Sequence, residues 1–258
     1  MTVLVTGSTS GLGAALCKAF KAEPFVRGNT PSKCVDYDTI IHCAANNAKA
    51  VSISEMERYL DDNVTLTQRL LETPHRRFIY LSTVDLYPKG AVADPANDFD
   101  VANIKGLYTA TKLMSEALVR QKGIRALILR PTSLLGPTMR PSSIYRMLTQ
   151  KDCHLFLSAN SRFNFILHDD VAEFIRVAID LNVKGTYNLA SINAITLGEI
   201  AAKLSLTPEF GSHDYDVGLI DAKRAALLCR SFARGSWETL NRFIDQLGDA
   251  YIGKGRLS

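Results

Sequence analysis

Apolar positions in this chain fall into short continuous runs that alternate with stretches of helical spacing. Val3-Leu4-Val5 reads as a buried strand, and Leu12, Ala15, Leu16, Ala19 and Phe20 then share one helical face. Phe25-Val26 is a weaker second strand, and Thr39 to Ala44 a stronger one. Ile53, Met56, Leu60, Asn63, Thr67, Leu70 and Leu71 mark one long helix that Pro74 ends. Phe78 to Leu81 predicts the next strand, Lys105 to Gln121 a helix, and Arg125 to Leu129 a strand stopped by Pro131. Strands that are apolar throughout, alternating with helices, predict an α/β, doubly wound parallel sheet covered on both faces.

After Gly136-Pro137 the pattern loosens. Residues 138–162 hold one helix (Ile144, Met147, Leu148) among polar loop. Phe163 to Leu167, a helix from Asp170 to Leu181 and the strand Thr186 to Leu189 then return to the main sheet. The remainder is helical: Leu197 to Leu204, Ala222 to Leu228, and a last helix from Ser236, a good N-cap. Leu240, Phe243, Ile244 and Leu247 give that helix an apolar stripe, so they and Trp237 read as core. The expected organisation is a sheet domain over 1–136, rejoined by 163–190, and a small, mostly helical region over 137–162 and 191–258.

The chain has 258 residues, 47% hydrophobic and 22% charged, which suits one large globular domain with an appendage. Disorder, collagen and coiled coil are excluded by this composition. Lys and Arg number 30 against 26 acids, a net +4 that is scattered rather than gathered into a patch. No nucleic-acid partner is expected, and the small excess suits an anionic small molecule. No apolar run is long enough to span a bilayer, and a strand begins at once with no signal-peptide pattern. Cys17, Cys34, Cys43, Cys153 and Cys229 form an odd set without C-x-x-C, which reads as reduced thiols in a cytoplasmic protein. His42, His75, His154, His168 and His213 pair with no Cys or Glu at ligand spacing, so no metal is expected.

Directly after the first strand, Thr6 to Gly13 reads T-G-S-T-S-G-L-G and opens the first helix. Glycines at such a turn let the backbone approach a pyrophosphate, and the helix start offers unpaired N–H groups with a favourable dipole. Gly7, Ser8, Thr9, Ser10, Gly11, Leu12 and Gly13 are therefore candidate cofactor contacts. An acid ending the second strand would grip a ribose 2′-OH and exclude a 2′-phosphate. The segment Phe25 to Thr30 has none, and Arg27 stands where a 2′-phosphate would sit, favouring NADP over NAD unless Arg27 points into solvent.

The glycine turn resembles that of the short-chain dehydrogenase/reductase superfamily, and later motifs narrow the resemblance to its extended branch of NAD(P)-dependent sugar epimerases, dehydratases and reductases. The spacing of Gly7, Gly11 and Gly13 departs from that branch, whose middle glycine usually falls one residue earlier. Too few residues separate the second strand from the next for the family's usual extra helix and strand, so a trimmed sheet edge is expected. His42-Cys43-Ala44-Ala45-Asn46 resembles the family's strand-four motif, whose small residues let the cofactor lie close. Asn63-Val64 resembles its internal Asn, structural or part of a proton relay. Leu129-Arg130-Pro131 with Leu135-Gly136-Pro137, Phe165 to Val171, and Gly185 to Ala190 resemble three further segments in the family's order. The resemblance implies a Rossmann domain, cofactor contacts from Cys43, Ala44, Ala45, Asn63, Lys112 and Pro131, and a homodimer formed through the helices around Tyr108 and Asn63.

Tyr108 and Lys112 form Y-x-x-x-K in a predicted helix, and positions i and i+4 share a face. A cation beside the phenol is expected to lower its pKa toward neutrality, as a general acid/base requires. Leu81 to Tyr87 resembles the family's S-[ST]-x-x-x-Y segment, which puts Thr83 in the position of the catalytic hydroxyl. In the family's dehydratases two acids follow that residue; here Val84 stands first and only Asp85 is acidic, which argues against 4,6-dehydration. Asp85 either serves substrate as an acid/base or orienting group, or caps its own loop. Arg140, Arg162 and Asn164 are candidate phosphate or ribose ligands for a nucleotide-sugar substrate, Arg offering a planar bidentate fork.

The expected activity is NAD(P)-dependent hydride transfer at a carbonyl or hydroxyl carbon of a nucleotide-activated sugar, with a 4-ketoreductase favoured over an NAD-dependent 4-epimerase. Two rivals stand beside it: the same chemistry on a steroid-like or flavonoid-like ketone, and a non-catalytic dinucleotide-binding regulator. The intact Thr83, Tyr108 and Lys112 argue against the regulator.

Overall fold

The computed structural model describes residues 1–26, 29, 35–48, 50–88, 92–95, 104, 106–123 and 125–251. Its centre is a six-stranded, wholly parallel sheet. The strands are β1 (Val3–Thr6), β2 (Glu23–Phe25), β3 (Thr39–His42), β4 (Arg77–Leu81), β6 (Arg125–Pro131) and β10 (Gly185–Leu189). Their order is β10-β6-β4-β3-β1-β2, so the winding reverses at β1, which pairs with β2 on one side and β3 on the other. Ligands of such sheets bind outside the carboxyl ends of the strands at that reversal.

Burial on both faces explains the continuous apolar strands. Val3, Val5, Ile41, Ile79, Leu81, Leu127 and Leu129 join a core with α1 (Gly11–Phe20) and α6 (His168–Asp180). Leu4, Ile40, Phe78, Tyr80 and Ile128 point the other way, onto Leu70, Leu71 and Val119 of α3 (Leu66–Glu72) and α4 (Leu107–Gln121). This alternation follows the two-residue period of a strand. The second strand lies two residues earlier than the Phe25-Val26 expectation. Pro24 at its middle has no N–H for an outer neighbour, and among the described residues the sheet ends there.

The long helix expected over residues 53–71 forms as one continuous helical run with a local irregularity. A 3₁₀ turn (Ile53–Glu55) leads into α2 (Met56–Leu60), a π turn follows at Asp61–Thr65, and α3 then resumes. A π turn re-aims a helix by one residue, and here it carries the buried Asn63.

A second core lies beyond the sheet. Leu135, Ile144, Met147, Leu148, Phe165, Leu167, Leu197, Ile200, Leu240 and Phe243 fill it. They come from β7 (Ser133–Leu135), α5 (Ser143–Thr149), β9 (Phe165–Leu167), α7 (Leu197–Lys203) and α9 (Ser236–Leu247). Short ladders tie this part together: β7 with β9, and β8 (Arg162–Phe163) with β11 (Ile195–Thr196). A third joins β5 (Val92–Ala93) to β12 (Leu219–Ile220). Ala225 of α8 (Lys223–Leu228), Cys229 and Phe232 pack instead into the sheet core, so the late chain covers both.

Candidate functional site

The glycine turn joins β1 to α1, and two of its glycines are dictated by close approach. A Cβ on Gly13 would lie 2.2 Å from the Gly7 carbonyl oxygen, and one on Gly7 would lie 3.0–3.1 Å from backbone atoms of Cys43 and Ala44. Gly7 also sits at φ +68°. The helix start, the first turn and the end of β3 are therefore pressed together. Gly13→Ala is expected to destabilise the fold by about 1–3 kcal/mol, because backbone rather than a side-chain tip must move. It should also weaken nicotinamide binding, and an unchanged melting temperature with unchanged cofactor fluorescence would count against this reading.

The opening turn of α1 holds no acid, and Ser10 caps none of its N–H groups. That leaves a helix N-terminus suited to an anion, so these residues fit a dinucleotide pyrophosphate. Gly11 N–H donates to the Thr138 carbonyl (2.6 Å), and Thr138 Oγ1 donates back to the Gly11 carbonyl (2.7 Å). Arg140 Nε donates to Ser10 Oγ at 3.1 Å. Ser8 Oγ donates to the Phe25 carbonyl, while Thr9 is exposed. Arg27 lies outside the described residues.

Behind the turn runs a buried hydrogen-bonded chain. Thr6 Oγ1 accepts from the N–H groups of Cys43 (3.1 Å) and Ala44 (3.0 Å), so its own proton goes to His42 Nδ1 at 2.7 Å. His42 Nε2 then donates to Thr67 Oγ1 at 3.0 Å. Burial, helped by the charge of Lys112, pushes His42 down to about 3, which keeps the ring neutral for this arrangement. Thr67 Oγ1 and Ser115 Oγ both reach the Asn63 carbonyl. The Asn63 side chain clamps Asn46, accepting from its N–H (2.7 Å) and donating to its carbonyl (2.9 Å).

Thr83 and Lys112 sit at the carboxyl end of β4. Lys112 is wholly buried, and its Nζ donates to the Leu81 carbonyl at 2.6 Å. It lies 4.9 Å from the Tyr80 ring centroid and 5.8 Å from that of Tyr108. Burial brings Lys112 down to about 8, against the opposing pull of Cys43 and Glu116. Burial pushes the Cys43 thiol up to about 12 despite the same lysine, so the glycine turn and the Tyr108–Lys112 helix meet at Cys43.

The expected acidification of Tyr108 is not present. Burial raises its phenol well above the ordinary value, and the charges of Asp85 and Tyr59 raise it further. The Lys112 ammonium is turned to the Leu81 carbonyl, while the Asp85 carboxylate is near enough for its charge to oppose phenolate. Thr83 Oγ1 accepts from the Asp85 N–H (3.1 Å) and donates to its Oδ2 (3.3 Å).

Behind Lys112 on α4, the buried Glu116 takes a fork of hydrogen bonds from Arg130 of β6: Nε to Oε1 at 2.9 Å and Nη2 to Oε2 at 2.7 Å. Arg130 Nη1 donates to Tyr87 Oη (2.8 Å), which donates to Asn188 Oδ1 (2.7 Å). The helix carrying Tyr108 and the loop carrying Thr83 are thus both fastened to the sheet.

The three residues expected at a nucleotide-sugar phosphate or ribose are not brought together. Arg140 lies on the glycine turn, and Arg162 pairs with Asp216 at 3.6 Å. Asn164 is buried, and its Nδ2 donates to the Ser191 (2.7 Å) and Asn193 (3.1 Å) carbonyls while Oδ1 accepts from Ser191 N–H (2.7 Å). Its amide ties the start of β9 to the turn after β10, and with both N–H donors taken there it does not stand free for a ligand as expected. Pro131 ends β6 and is buried. Tyr215, which no sequence motif singled out, reaches this site from the late chain and donates to Asp85 Oδ1 at 2.9 Å.

Among curated proteins, dTDP-D-glucose 4,6-dehydratase of Dictyostelium discoideum is 25% identical over 191 residues, 65% of this chain and 44% of that protein. The chain spans about half the length of the dehydratases it matches. Sterol demethylase protein B of Methylococcus capsulatus is 26% identical over 244 residues, 78% of this chain and 72% of that protein. Among solved structures, UDP-glucuronic acid 4-epimerase from Bacillus cereus in complex with NAD superposes with a TM-score of 0.75 at 22% identity. That superposition covers 96% of this chain and 99% of the other, and it establishes the Rossmann fold. A family model described as "NAD dependent epimerase/dehydratase family" matches residues 27–190, and so, with its parallel sheet, the chain belongs to that family of the short-chain dehydrogenase/reductase superfamily.

Proposed function

We propose that this chain is a nicotinamide-dependent oxidoreductase of nucleotide-activated sugars, reducing a 4-keto group to a hydroxyl. The observation that carries the reading is the gathering of Lys112, Tyr108, Thr83 and Asp85 at the carboxyl end of β4, beside the glycine turn. Gly7 to Gly13 and the start of α1 would hold the cofactor pyrophosphate, with Cys43, Ala44 and Ala45 below it and Lys112 at the ribose. The nicotinamide supplies hydride when bound.

The chain's own residues handle the proton. Tyr108 carries its proton at neutral pH, since burial and Asp85 both oppose phenolate. A group that starts protonated suits reduction, in which the carbonyl oxygen gains a proton as it becomes a hydroxyl. Thr83 would turn its one hydroxyl proton from Asp85 Oδ2 to that oxygen when substrate binds. Preference for NADP rests on Arg27 and the absence of an acid after β2. Exposed Leu60, Leu107 and Met114 on α2 and α4 support a homodimer through these helices. Free thiols at Cys17, Cys43, Cys153 and Cys229 suit a cytoplasmic setting.

A second reading, 4-epimerase with NAD retained through the cycle, is favoured by the similarity to the NAD-bound 4-epimerase. One experiment separates the two. Titration with NADPH and NADH, followed by nicotinamide fluorescence, should show binding with NADPH preferred. Adding a 4-keto nucleotide sugar should then consume NADPH stoichiometrically. Interconversion of UDP-glucose and UDP-galactose without net cofactor consumption would select the epimerase, and failure to bind either nucleotide would sink both.

A further inference from the structure

Asp85 is exposed at the mouth of the site, yet both of its carboxylate oxygens are held. Thr83 Oγ1 takes Oδ2 from within the same loop, and Tyr215 Oη takes Oδ1 from a segment 130 residues further along the chain. Tyr215 is itself rigidly placed. Its N–H donates to Ser161 Oγ (3.1 Å), and its carbonyl accepts from Arg162 N–H (2.7 Å). The ring lies 4.8 Å from that of Phe163, which stacks on Phe165 of the second core at 5.8 Å. Asp216 next to it pairs with Arg162, and Asp214 with Ser158. Burial and the Asp85 charge both raise the Tyr215 phenol, so it stays a donor.

We infer that Tyr215 is a positioning residue that fixes the Asp85 carboxylate as an acceptor for a substrate hydroxyl next to the reacting carbon. The inference rests on the oxidoreductase reading above and assigns the late chain a part in substrate selection. A carboxylate has about four lone-pair sites, and two donors leave two for a ligand. Those remaining sites accept only, so they take a hydroxyl-bearing substrate and leave a bare ketone without a partner. Without the Tyr215 hydroxyl the carboxylate is free to turn, and ordering it falls on the substrate instead.

Tyr215→Phe keeps the ring against Phe163 and removes only the donor. It should raise KM for the 4-keto nucleotide sugar about tenfold, with kcat changed less than about threefold. NADPH binding and melting temperature should match the parent, since neither depends on this bond. Asp85→Asn should raise KM similarly, and the double variant should be little worse than either single one, because both act through one interaction. An unchanged KM in Tyr215→Phe, or fully additive effects, overturns the inference while leaving the oxidoreductase reading intact. A parent chain that neither binds nicotinamide nor turns over the sugar overturns both.

Discussion

Tyr108→Phe will lower turnover of the 4-keto nucleotide sugar by about 100- to 10,000-fold, the range by which a positioned proton donor accelerates such reactions. The substitution removes one oxygen and leaves the ring on α4, so the fold should be unaffected. Cofactor binding should change little, because the Lys112 ammonium donates to the Leu81 carbonyl and takes no bond from the phenol. The loss should fall on kcat and kcat/KM alike, the pattern of an interaction made in the transition state. In the parent chain kcat/KM should decline as pH rises past about 8, where Lys112 sheds its proton and the cation proposed at the cofactor ribose is lost. A Tyr108→Phe protein that turns over within about tenfold of the parent would place proton delivery elsewhere, with Asp85 the next group to test.

Glu116→Gln should cost about 3–5 kcal/mol of folding stability, the usual penalty for leaving a buried charge without its partner. Glu116 is 0% exposed and Arg130 3%, so solvent screens neither. The second cation on this carboxylate, Arg120, is 46% exposed and contributes little. Burial alone would raise Glu116, but the hydrogen bonds and charge of Arg130 outweigh it and hold the carboxyl below its usual range. A depressed carboxyl stabilises the fold above its unfolded pKa, and the contribution is lost as pH falls through the folded value. Urea melts at neutral and acidic pH check both statements: the gap between parent and Glu116→Gln should be full near neutrality and narrow in acid. Replacing the pair together, Glu116→Leu with Arg130→Met, should recover much of the loss, since two apolar groups need no charge partner. A single variant within about 1 kcal/mol of the parent would show that water reaches the pair.

Much of the architecture is legible along the chain because burial on both faces leaves a strong imprint. Val3 to Thr6, Thr39 to His42 and Arg77 to Leu81 are buried at every position, which is why they read as apolar runs. The π turn at Asp61–Thr65 leaves no such imprint, since the apolar spacing on either side still fits one helix. Its cause is tertiary: the Asn63 carbonyl and amide are claimed by Ser115 and Asn46, from two other parts of the chain. Arg140 and Asn164 look alike as polar residues after strand six. Only packing shows that one lies on the glycine turn and the other braces β9.

Local pattern by itself determined the parallel sheet, the glycine turn and the Tyr108–Lys112 helix, because each depends on neighbours within a few residues: strand period, turn chemistry, one helical turn. The tertiary structure alone decided the electrostatics of Tyr108, the burial of the Glu116–Arg130 pair and the arrival of Tyr215 at Asp85. Each of those is a matter of which distant groups lie within a few ångströms and how much water is excluded, and charge interactions across a fold have no period along the chain.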